Sequence, residues 1–194
     1  MRKLIVSNIM SLDGQIAGPG NNVMAMPMDH SFDAYNVERL RAADTLLLGR
    51  VTFQMFEGFW PRVADHPDAS AANREISRLD NAIAKVVVSS SLTAEQTGTW
   101  RTTTRIVPRA LAHAQIAELK RQPGKDILVF GSRTLWNDLL AAGLVDELHL
   151  MLGPVVLGGG TPGFGATALA TPLELLDTRR FEGSSNVVLR YATS

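Results

Sequence analysis

Three apolar runs in this chain end in glycine, serine or arginine, residue types that bind phosphate groups. The runs are Leu46-Leu47-Leu48 before Gly49-Arg50, Val86-Val87-Val88 before Ser89-Ser90, and Leu128-Val129-Phe130 before Gly131-Ser132. Glycine permits close backbone approach, serine hydroxyls donate to phosphate oxygens, and the Arg50 guanidinium adds a forked cationic donor. One such glycine is more often a plain turn. The three motifs together predict a site for a multiply phosphorylated nucleotide.

These motifs need strands that bring them to one edge of a sheet. Branched apolar runs predict buried strands at Leu4–Ile9, Thr45–Leu48, Lys85–Val88, Arg105–Val107 and Ile127–Phe130. Helical spacing predicts helices from Ser31, with Asp29 or Ser31 as the cap, and over Val51–Phe56, Ala69–Leu79, Leu111–Arg121 and Thr134–Ala142, whereas Pro61–Pro67 is predicted as loop. Strands that alternate with helices favour an α/β fold whose parallel sheet is covered on both faces and binds ligands outside its carboxyl ends.

The end of the chain has a different pattern. Glu147–Leu152 and Leu173–Phe181 are predicted strands, and Asn186–Tyr191 follows the turn residues Gly183-Ser184-Ser185. An antiparallel hairpin is therefore expected to close the sheet. No repeat, low-complexity tract or linker divides the sequence, so residues 1–194 are predicted to form a single domain.

Composition narrows the classes of function. The 194 residues include 19 Lys+Arg, 19 Asp+Glu and no Cys, which excludes thiolate nucleophiles and Cys-ligated zinc or iron–sulfur centres. Zero net charge gives no field for nucleic acid or an anionic membrane as main partner, and no apolar run is long enough to span a bilayer. Ser7, Asn8 and Asp13 interrupt the first apolar run, which argues against a signal peptide. We expect a cytoplasmic protein that acts on small molecules.

One match to a dinucleotide-binding motif lies in a context that does not suit the motif. Gly158, Gly160 and Gly163 satisfy G-x-G-x-x-G, and Asp177 lies at the interval of a ribose-binding acid. That motif must open a helix, whereas Pro162 lies inside this one. The segment is interpreted as a loop near the active site or a plain turn.

Other catalytic patterns are weak. The four histidines share no metal-ligand spacing, so no metal site is predicted, and no serine lies in a G-x-S-x-G motif. His113 on an amphipathic helix and His149 on a strand are interpreted as structural residues.

The order of the motifs resembles the dihydrofolate reductase superfamily, and most closely its branch related to the reductase domain of the bacterial bifunctional riboflavin-biosynthesis deaminase–reductase. The resemblance covers nearly the whole chain. It is carried by Ser11-Leu12-Asp13-Gly14-Gln15-Ile16-Ala17, Asp44–Thr52, Lys85–Ser91, Ile127–Ser132, Leu144–Leu148 and Pro154–Phe164.

The resemblance implies a three-layer, dihydrofolate reductase-like fold and an NADPH-dependent reductase. Gly49, Arg50, Val51 and Thr52 would hold the adenosine-side phosphates, with Arg50 at the 2′-phosphate, and Ser89 and Ser90 would add contacts there. Gly131, Ser132 and Arg133 would approach the pyrophosphate, and Ile9 and Ile16 would present backbone groups to the nicotinamide carboxamide. A 2′-phosphate needs charge-assisted donors, which favours NADPH over NADH.

The substrate side of the resemblance rests on Asp33. This residue lies at the interval before Gly49 at which dihydrofolate reductases carry their pterin-binding carboxylate, and it is the candidate catalytic acid. Met28 replaces the usual Trp, and Met151 replaces the Thr that normally supports the acid. Asp33 is equally well interpreted as a first-turn acid favoured by the helix dipole, and Asp13 as an ordinary turn residue.

The expected activity is hydride transfer from NADPH to a small pterin-like or aminopyrimidine-like heterocycle, which needs neither a metal nor a catalytic triad. The alternative is a non-catalytic nucleotide-binding or sensory protein that retains the cofactor cleft. A homodimer is predicted, since the last strands could present an apolar face or edge to a second copy.

Overall fold

The apolar runs of the sequence become strands that are covered on both faces. The computed structural model describes residues 1–165 and 170–193. Its strands are β1 (Leu4–Ser11), β2 (Gln15–Ala17), β3 (Ala43–Gly49), β4 (Ala84–Val88), β5 (Thr104–Val107), β6 (Asp126–Phe130), β7 (Glu147–Gly153), β8 (Thr161–Pro162), β9 (Leu173–Arg180) and β10 (Val187–Thr193). Its helices are α1 (His30–Ala42), α2 (Arg50–Phe59), α3 (Ala71–Ala82), α4 (Ala112–Arg121) and α5 (Arg133–Ala141). Within those described ranges, no helix has the length and apolar character needed to cross a membrane.

Eight strands form one mixed sheet in the order β5-β4-β3-β6-β1-β7-β10-β9. The strands from β5 to β7 are parallel to their neighbours, whereas β10 runs antiparallel to β7 and to β9. This topology confirms the predicted α/β fold with a mostly parallel sheet and a C-terminal antiparallel hairpin. The separate pairing of β2 with β8 was not predicted.

The core lies on both faces of this sheet. Leu47 packs with Trp136 of α5 on one face. On the other face, Leu48 packs with Phe53 of α2 and Ile76 of α3. Each such side chain contributes roughly 1.5–3 kcal/mol when fully buried. The two layers of helices therefore fix the sheet edge at which α2 and α5 begin.

The helices differ in how their first turns are capped. The Asp29 carboxylate accepts a hydrogen bond from the Ser31 N–H at 2.9 Å and caps α1, and Ser70 caps α3 in the same way. By contrast, Gly49 and Ser132 precede α2 and α5 without giving either helix a side-chain cap. The starts of α2 and α5 therefore present backbone N–H groups that no cap has used.

Two loop predictions differ from the structure. Residues Trp60–Asp65 form a 3₁₀ helix, which covers most of the loop predicted for Pro61–Pro67. The Ser77 hydroxyl of α3 holds this turn, because it donates to the Trp60 carbonyl at 2.5 Å and accepts from the Ala64 N–H at 3.0 Å. The glycine-rich segment Gly158–Gly163 contains β8, and Pro162 is tolerated there because the strand belongs to a two-stranded ribbon.

Candidate active site

A large cleft lies at the carboxyl ends of β1, β3 and β6, with a cavity volume of about 1140 Å³. It is bordered by α1 and α2 on one side and by the start of α5 on the other. Ligands of open α/β sheets bind at this edge. Of the predicted cofactor-binding residues, the cleft is lined by Ile9, Ile16, Gly49, Arg50, Val51, Thr52, Gly131, Ser132 and Arg133.

The cleft opens where two neighbouring strands part. β1 pairs with β6 only as far as Ser7 opposite Phe130, but pairs with β7 as far as Ser11. The Asn8 side chain bridges the gap, since its Oδ1 accepts from the Gly131 N–H at 2.7 Å and its Nδ2 lies 3.4 Å from the Gly131 carbonyl oxygen. Asn8 is thus a site residue that the sequence analysis missed.

The starts of α2 and α5 are joined by two hydrogen bonds. The Ser132 hydroxyl accepts from the Gly49 N–H at 3.0 Å, and the Ser132 N–H donates to the Thr52 hydroxyl at 2.9 Å. Gly131 has φ +52°, and a Cβ there would lie 3.0 Å from the Thr52 methyl carbon, so the position favours glycine. The two positive helix ends therefore converge on one part of the cleft, which suits an anion.

Three arginines line this part of the cleft, which we call the arginine end: Arg50, Arg109 and Arg133. The Nε of Arg133 is buried and has no hydrogen-bond partner among the described residues. A buried cationic donor without a partner is costly, so this position fits a ligand oxygen. The donor set of guanidinium groups and helix N-termini is suited to an anionic ligand such as a phosphate. Arg109 was missed, since only its place after β5 brings it here.

Ser89 and Ser90 do not line the cleft. The Ser89 hydroxyl is buried and accepts from the N–H groups of Ser91 and Leu92 at 3.1 and 2.9 Å. The Ser90 hydroxyl accepts from the Arg109 N–H at 3.2 Å. Both hydroxyls shape the loops after β4 and β5, and Ser90 positions the backbone of an arginine that does line the cleft.

Asp33 lies on α1 directly after Phe32, which faces the cleft. Phe32 and Asn36 form the α1 wall, and Asp33 is not among the described lining residues. Burial and the nearby Asp29 raise the pKa of the half-buried Asp33 carboxyl. The catalytic role of Asp33 therefore stays a prediction. Met28 lines the cleft and Met151 is buried opposite Ile9, in register across β1 and β7.

The other end of the cleft is apolar and aromatic, and we call it the aromatic end. It is lined by Met28, Phe32, Phe56, Phe59, Trp60, Ile76 and Asp80. Phe56 and Phe59 both contact Trp60 edge-on, and their ring centroids lie 6.5 and 4.9 Å, respectively, from that of Trp60. Sequence analysis did not single out Asp80, although its i, i+4 spacing from Ile76 on α3 places both on one helix face.

Asp13 and Asn137 fasten the glycine-rich segment over the cleft. The Asp13 carboxylate accepts from the N–H groups of Leu157 and Gly158 at 3.0 and 2.8 Å. The Asn137 amide on α5 donates to the Gly163 carbonyl at 3.0 Å. Asp13 also lies in the expected turn, in which the Gly14 N–H donates to the Ser11 carbonyl at 3.0 Å. The predicted turn residue therefore also ties down a cleft wall, to which Thr161 contributes.

A buried polar chain supports α1 from below. The Tyr35 hydroxyl lies 2.8 Å from Nδ1 of His149, whose Nε2 lies 2.7 Å from the Glu147 carboxylate. Burial lowers the pKa of His149 to about 4, outweighing the opposing effect of Glu147. Glu147 is also buried, but hydrogen bonds from Lys3, His149 and Arg190 lower its pKa to about 2. A neutral His149 therefore donates a hydrogen bond from Nε2 to Glu147 and accepts a hydrogen bond at Nδ1 from the Tyr35 hydroxyl.

The sheet order, the helices on both faces and the cleft at the strand ends define a dihydrofolate reductase-like fold. Residues 2–188 match the model of the RibD C-terminal domain. The chain belongs to the RibD C-terminal domain family. It is 32% identical over 192 residues to YyaP of Bacillus subtilis (strain 168), an uncharacterized protein, covering 96% of this chain and 92% of that protein.

Solved structures share the fold at lower identity. A diaminohydroxyphosphoribosylaminopyrimidine deaminase/5-amino-6-(5-phosphoribosylamino)uracil reductase from Thermotoga maritima superposes with TM-score 0.65 and 11% identity, over 100% of this chain and 57% of that one. A dihydrofolate reductase from Enterococcus faecalis, complexed with NADP(H) and RAB-propyl, gives TM-score 0.60 and 16% identity, over 99% of this chain and 96% of that one.

Proposed function

We propose that this protein is an NADPH-dependent reductase that transfers hydride to a small pterin-like or aminopyrimidine-like heterocycle. The observation that carries the proposal is the junction of the α2 and α5 N-termini beside Arg50, Arg109 and Arg133, at one end of a cleft that continues to an aromatic end. One end offers donors for phosphates, and the other offers flat apolar surface for a ring.

The chain's own residues would bind and orient the two reactants. Gly131 lets the backbone approach a pyrophosphate closely, while the Arg133 Nε and the uncapped start of α5 donate to its oxygens. Arg50 and Arg109 supply charge for a 2′-phosphate. Ile9, on the part of β1 that extends beyond its pairing with β6, and Ile16, on β2, both line the cleft, and their backbone groups would meet the nicotinamide carboxamide. When bound, NADPH supplies the hydride, so the protein's task is orientation and exclusion of water.

Titration of the purified protein with NADPH, NADH and NADP⁺ tests the cofactor assignment. We expect saturable micromolar binding of NADPH and a clear preference over NADH. Arg50→Ala should reduce that preference by roughly 10- to 100-fold, since a hydrogen bond to a charged group is worth about 1.5–3 kcal/mol. Arg62→Ala, an exposed arginine outside the cleft, is the matched control. Absence of saturable binding would overturn the proposal.

Reduction assays test the substrate class. Dihydrofolate and a phosphoribosyl aminopyrimidinone separate the two reductase activities suggested by the relatives. Asp33→Asn tests the predicted acid, and unchanged turnover in that variant would remove Asp33 from the chemistry.

A nucleotide-binding protein without turnover is the second candidate. It is favoured by the position of Asp33 outside the cleft wall and by Met28 at the aromatic end. NADPH binding without oxidation across a broad panel of heterocycles would support it.

The predicted homodimer stays a prediction. β9 is an edge strand of the sheet, and it exposes Leu173, Leu175 and Leu176. A second copy could cover this strand. The mass in solution, measured for the wild type and for Leu175→Lys, tests this assembly.

A further inference from the structure

Asp80 is a buried acid on the wall of the aromatic end, and one of its carboxyl oxygens has no hydrogen-bond partner among the described residues. Its side chain belongs to a residue only 1% exposed, and its Oδ1 is buried without a partner among the described residues. Asp80 lies on α3 one turn after Ile76, and both residues line the cleft. An unsatisfied carboxyl at such a position calls for a physical explanation.

The neighbouring cation does not satisfy this carboxyl. Lys85 acts on Asp80 through space, but its ammonium donates to the Ile83 carbonyl at 2.9 Å and to the Thr103 hydroxyl at 3.1 Å. The ammonium also lies 4.3 Å from the centre of the Trp100 ring. Within the described residues, the Oδ1 of Asp80 therefore has no donor, although the residue lines the cleft.

A free acceptor of this kind is expensive in a folded protein. Burial raises the pKa of Asp80 to about 7, although Lys85 opposes the shift. Both the neutral and the ionised forms are thus populated near neutral pH, and each has an oxygen that can accept a hydrogen bond. Groups that destabilise the free protein commonly occur where a ligand will use them.

The surroundings of Asp80 indicate what kind of ligand would reach it. Phe32, Phe56, Phe59 and Trp60 supply flat apolar surface, and the Asn36 amide adds one polar group. Among the described residues that line this end, none is Lys or Arg. The three arginines of the cleft belong to its arginine end, and the Lys85 ammonium near Asp80 is already bonded to Ile83 and Thr103, so a phosphate here would face an acid and no free cation.

We propose that Asp80 is a substrate-binding residue, and that the substrate is a flat heterocycle which donates an N–H hydrogen bond to Asp80 and carries no phosphoryl group. The inference rests on the proposed function, because it assigns the substrate end of the same cleft. It also separates this chain from the relative whose substrate name contains a phosphoribosyl group.

Calorimetric titration with two ring systems tests the role of Asp80. Quinazoline-2,4-diamine carries amino donors, whereas quinazoline has the same fused rings and none. With saturating NADP⁺, the wild type should bind the diamine at least tenfold more tightly than quinazoline. Asp80→Leu should bring the two affinities within about twofold, and Asp68→Asn, an exposed acid outside the cleft, should preserve the preference. A preference that survives in Asp80→Leu, or no binding of either ring to the wild type, would overturn the proposal.

A second pair of probes tests the phosphate. Cytidine carries an amino-substituted ring and a ribose, and cytidine 5′-monophosphate adds only the phosphate. With NADP⁺ filling the arginine end, cytidine should bind at least as tightly as its monophosphate. Tenfold tighter binding of the monophosphate would overturn the assignment of a substrate without phosphate.

Stability separates a binding role from a structural one. Because no described residue donates to Oδ1 but the carboxyl faces the buried Lys85 ammonium, the comparison is made in a Lys85→Met background, in which adding Asp80→Leu should leave the unfolding temperature the same or higher. A structural role predicts a lower unfolding temperature, and that result would count against the proposal. If the wild type does not bind NADPH but still prefers the diamine in an Asp80-dependent way, only the proposed function is overturned.

Discussion

The Ser132 N–H donates to the hydroxyl of Thr52, 80 positions earlier in the chain, at 2.9 Å. With the bond from the Gly49 N–H to the Ser132 hydroxyl, it fixes the start of α5 against the first turn of α2. Ser132 itself has φ +49°, an uncommon conformation for a residue other than glycine. The arginine end of the cleft is therefore a preorganised junction of two helices and does not depend on one helix alone.

Replacing the Thr52 hydroxyl should weaken this junction. In Thr52→Val the buried Ser132 N–H loses its acceptor, which costs about 1–3 kcal/mol of unfolding free energy. We expect NADPH affinity to fall by about tenfold as the two helix starts separate. Urea unfolding and cofactor titration measure the two effects, with the exposed Thr102→Val as control. Unaltered affinity in a destabilised Thr52→Val would show that the junction matters only for folding.

Much of this architecture could be predicted from the sequence because its parallel strands are buried on both faces. Leu46, Leu47 and Leu48 are each completely buried, so an uninterrupted apolar run was a reliable sign of a central strand. The residues that follow parallel strands lie at the same edge of the sheet, which is why the sequence could predict that Gly49 and Gly131 belong to one site. Local sequence and topology point to the same place there.

The substrate side could not be predicted in this way because it depends on which face of a helix each side chain occupies. One position along a helix turns the side chain by about 100°, so interval alone cannot distinguish Asp33 from Phe32. Asp80 reaches the cleft only through the packing of α3 against the sheet. The Ser89 hydroxyl follows a strand end as predicted, but it accepts hydrogen bonds from the N–H groups of Ser91 and Leu92 and does not line the cleft.

Arg133 should serve binding more than folding. Its buried Nε has no partner among the described residues, so removal of the guanidinium leaves no protein acceptor unpaired at that atom. Arg133→Met, which keeps an unbranched side chain, should lower NADPH affinity by about 10- to 100-fold and leave the unfolding temperature unchanged or higher. Arg78→Met on exposed α3 surface is the matched control. A large loss of stability would instead indicate a structural role.

The Asp13 carboxylate should control how firmly the glycine-rich segment is held. Its pKa is lowered, chiefly by the Ser11 hydroxyl and then by the Leu157 N–H, so it stays ionised at neutral pH. Asp13→Ala removes the acceptor of both the Leu157 and Gly158 N–H groups. Hydrogen exchange at these two amides should then become faster, while exchange at the core strand β6 stays the same. Asp68→Ala is the control, and unchanged exchange at Gly158 would contradict the proposed attachment.

The buried Tyr35–His149–Glu147 chain should make the fold sensitive to moderate acid. His149 is fully buried and its pKa falls from the ordinary 6.5 to about 4. Between these two values the unfolded chain takes up a proton that the folded chain refuses, so stability falls as the pH is lowered from about 6.5 to about 4. Asp80 acts in the opposite sense over nearly the same range, because its raised pKa makes the folded chain the better proton binder.

A comparison of variants separates these two contributions. His149→Gln removes the titration but keeps an amide that can bond to Tyr35 and Glu147. Its unfolding free energy, measured in urea at several pH values, should approach or overtake that of the wild type as the pH falls from 6.5 to 4. His66→Gln, in an exposed turn, should run parallel to the wild type. A difference between His149→Gln and the wild type that does not change with pH would mean that His149 is charged in the folded protein, and the direction of the Tyr35 hydrogen bond would then be reversed.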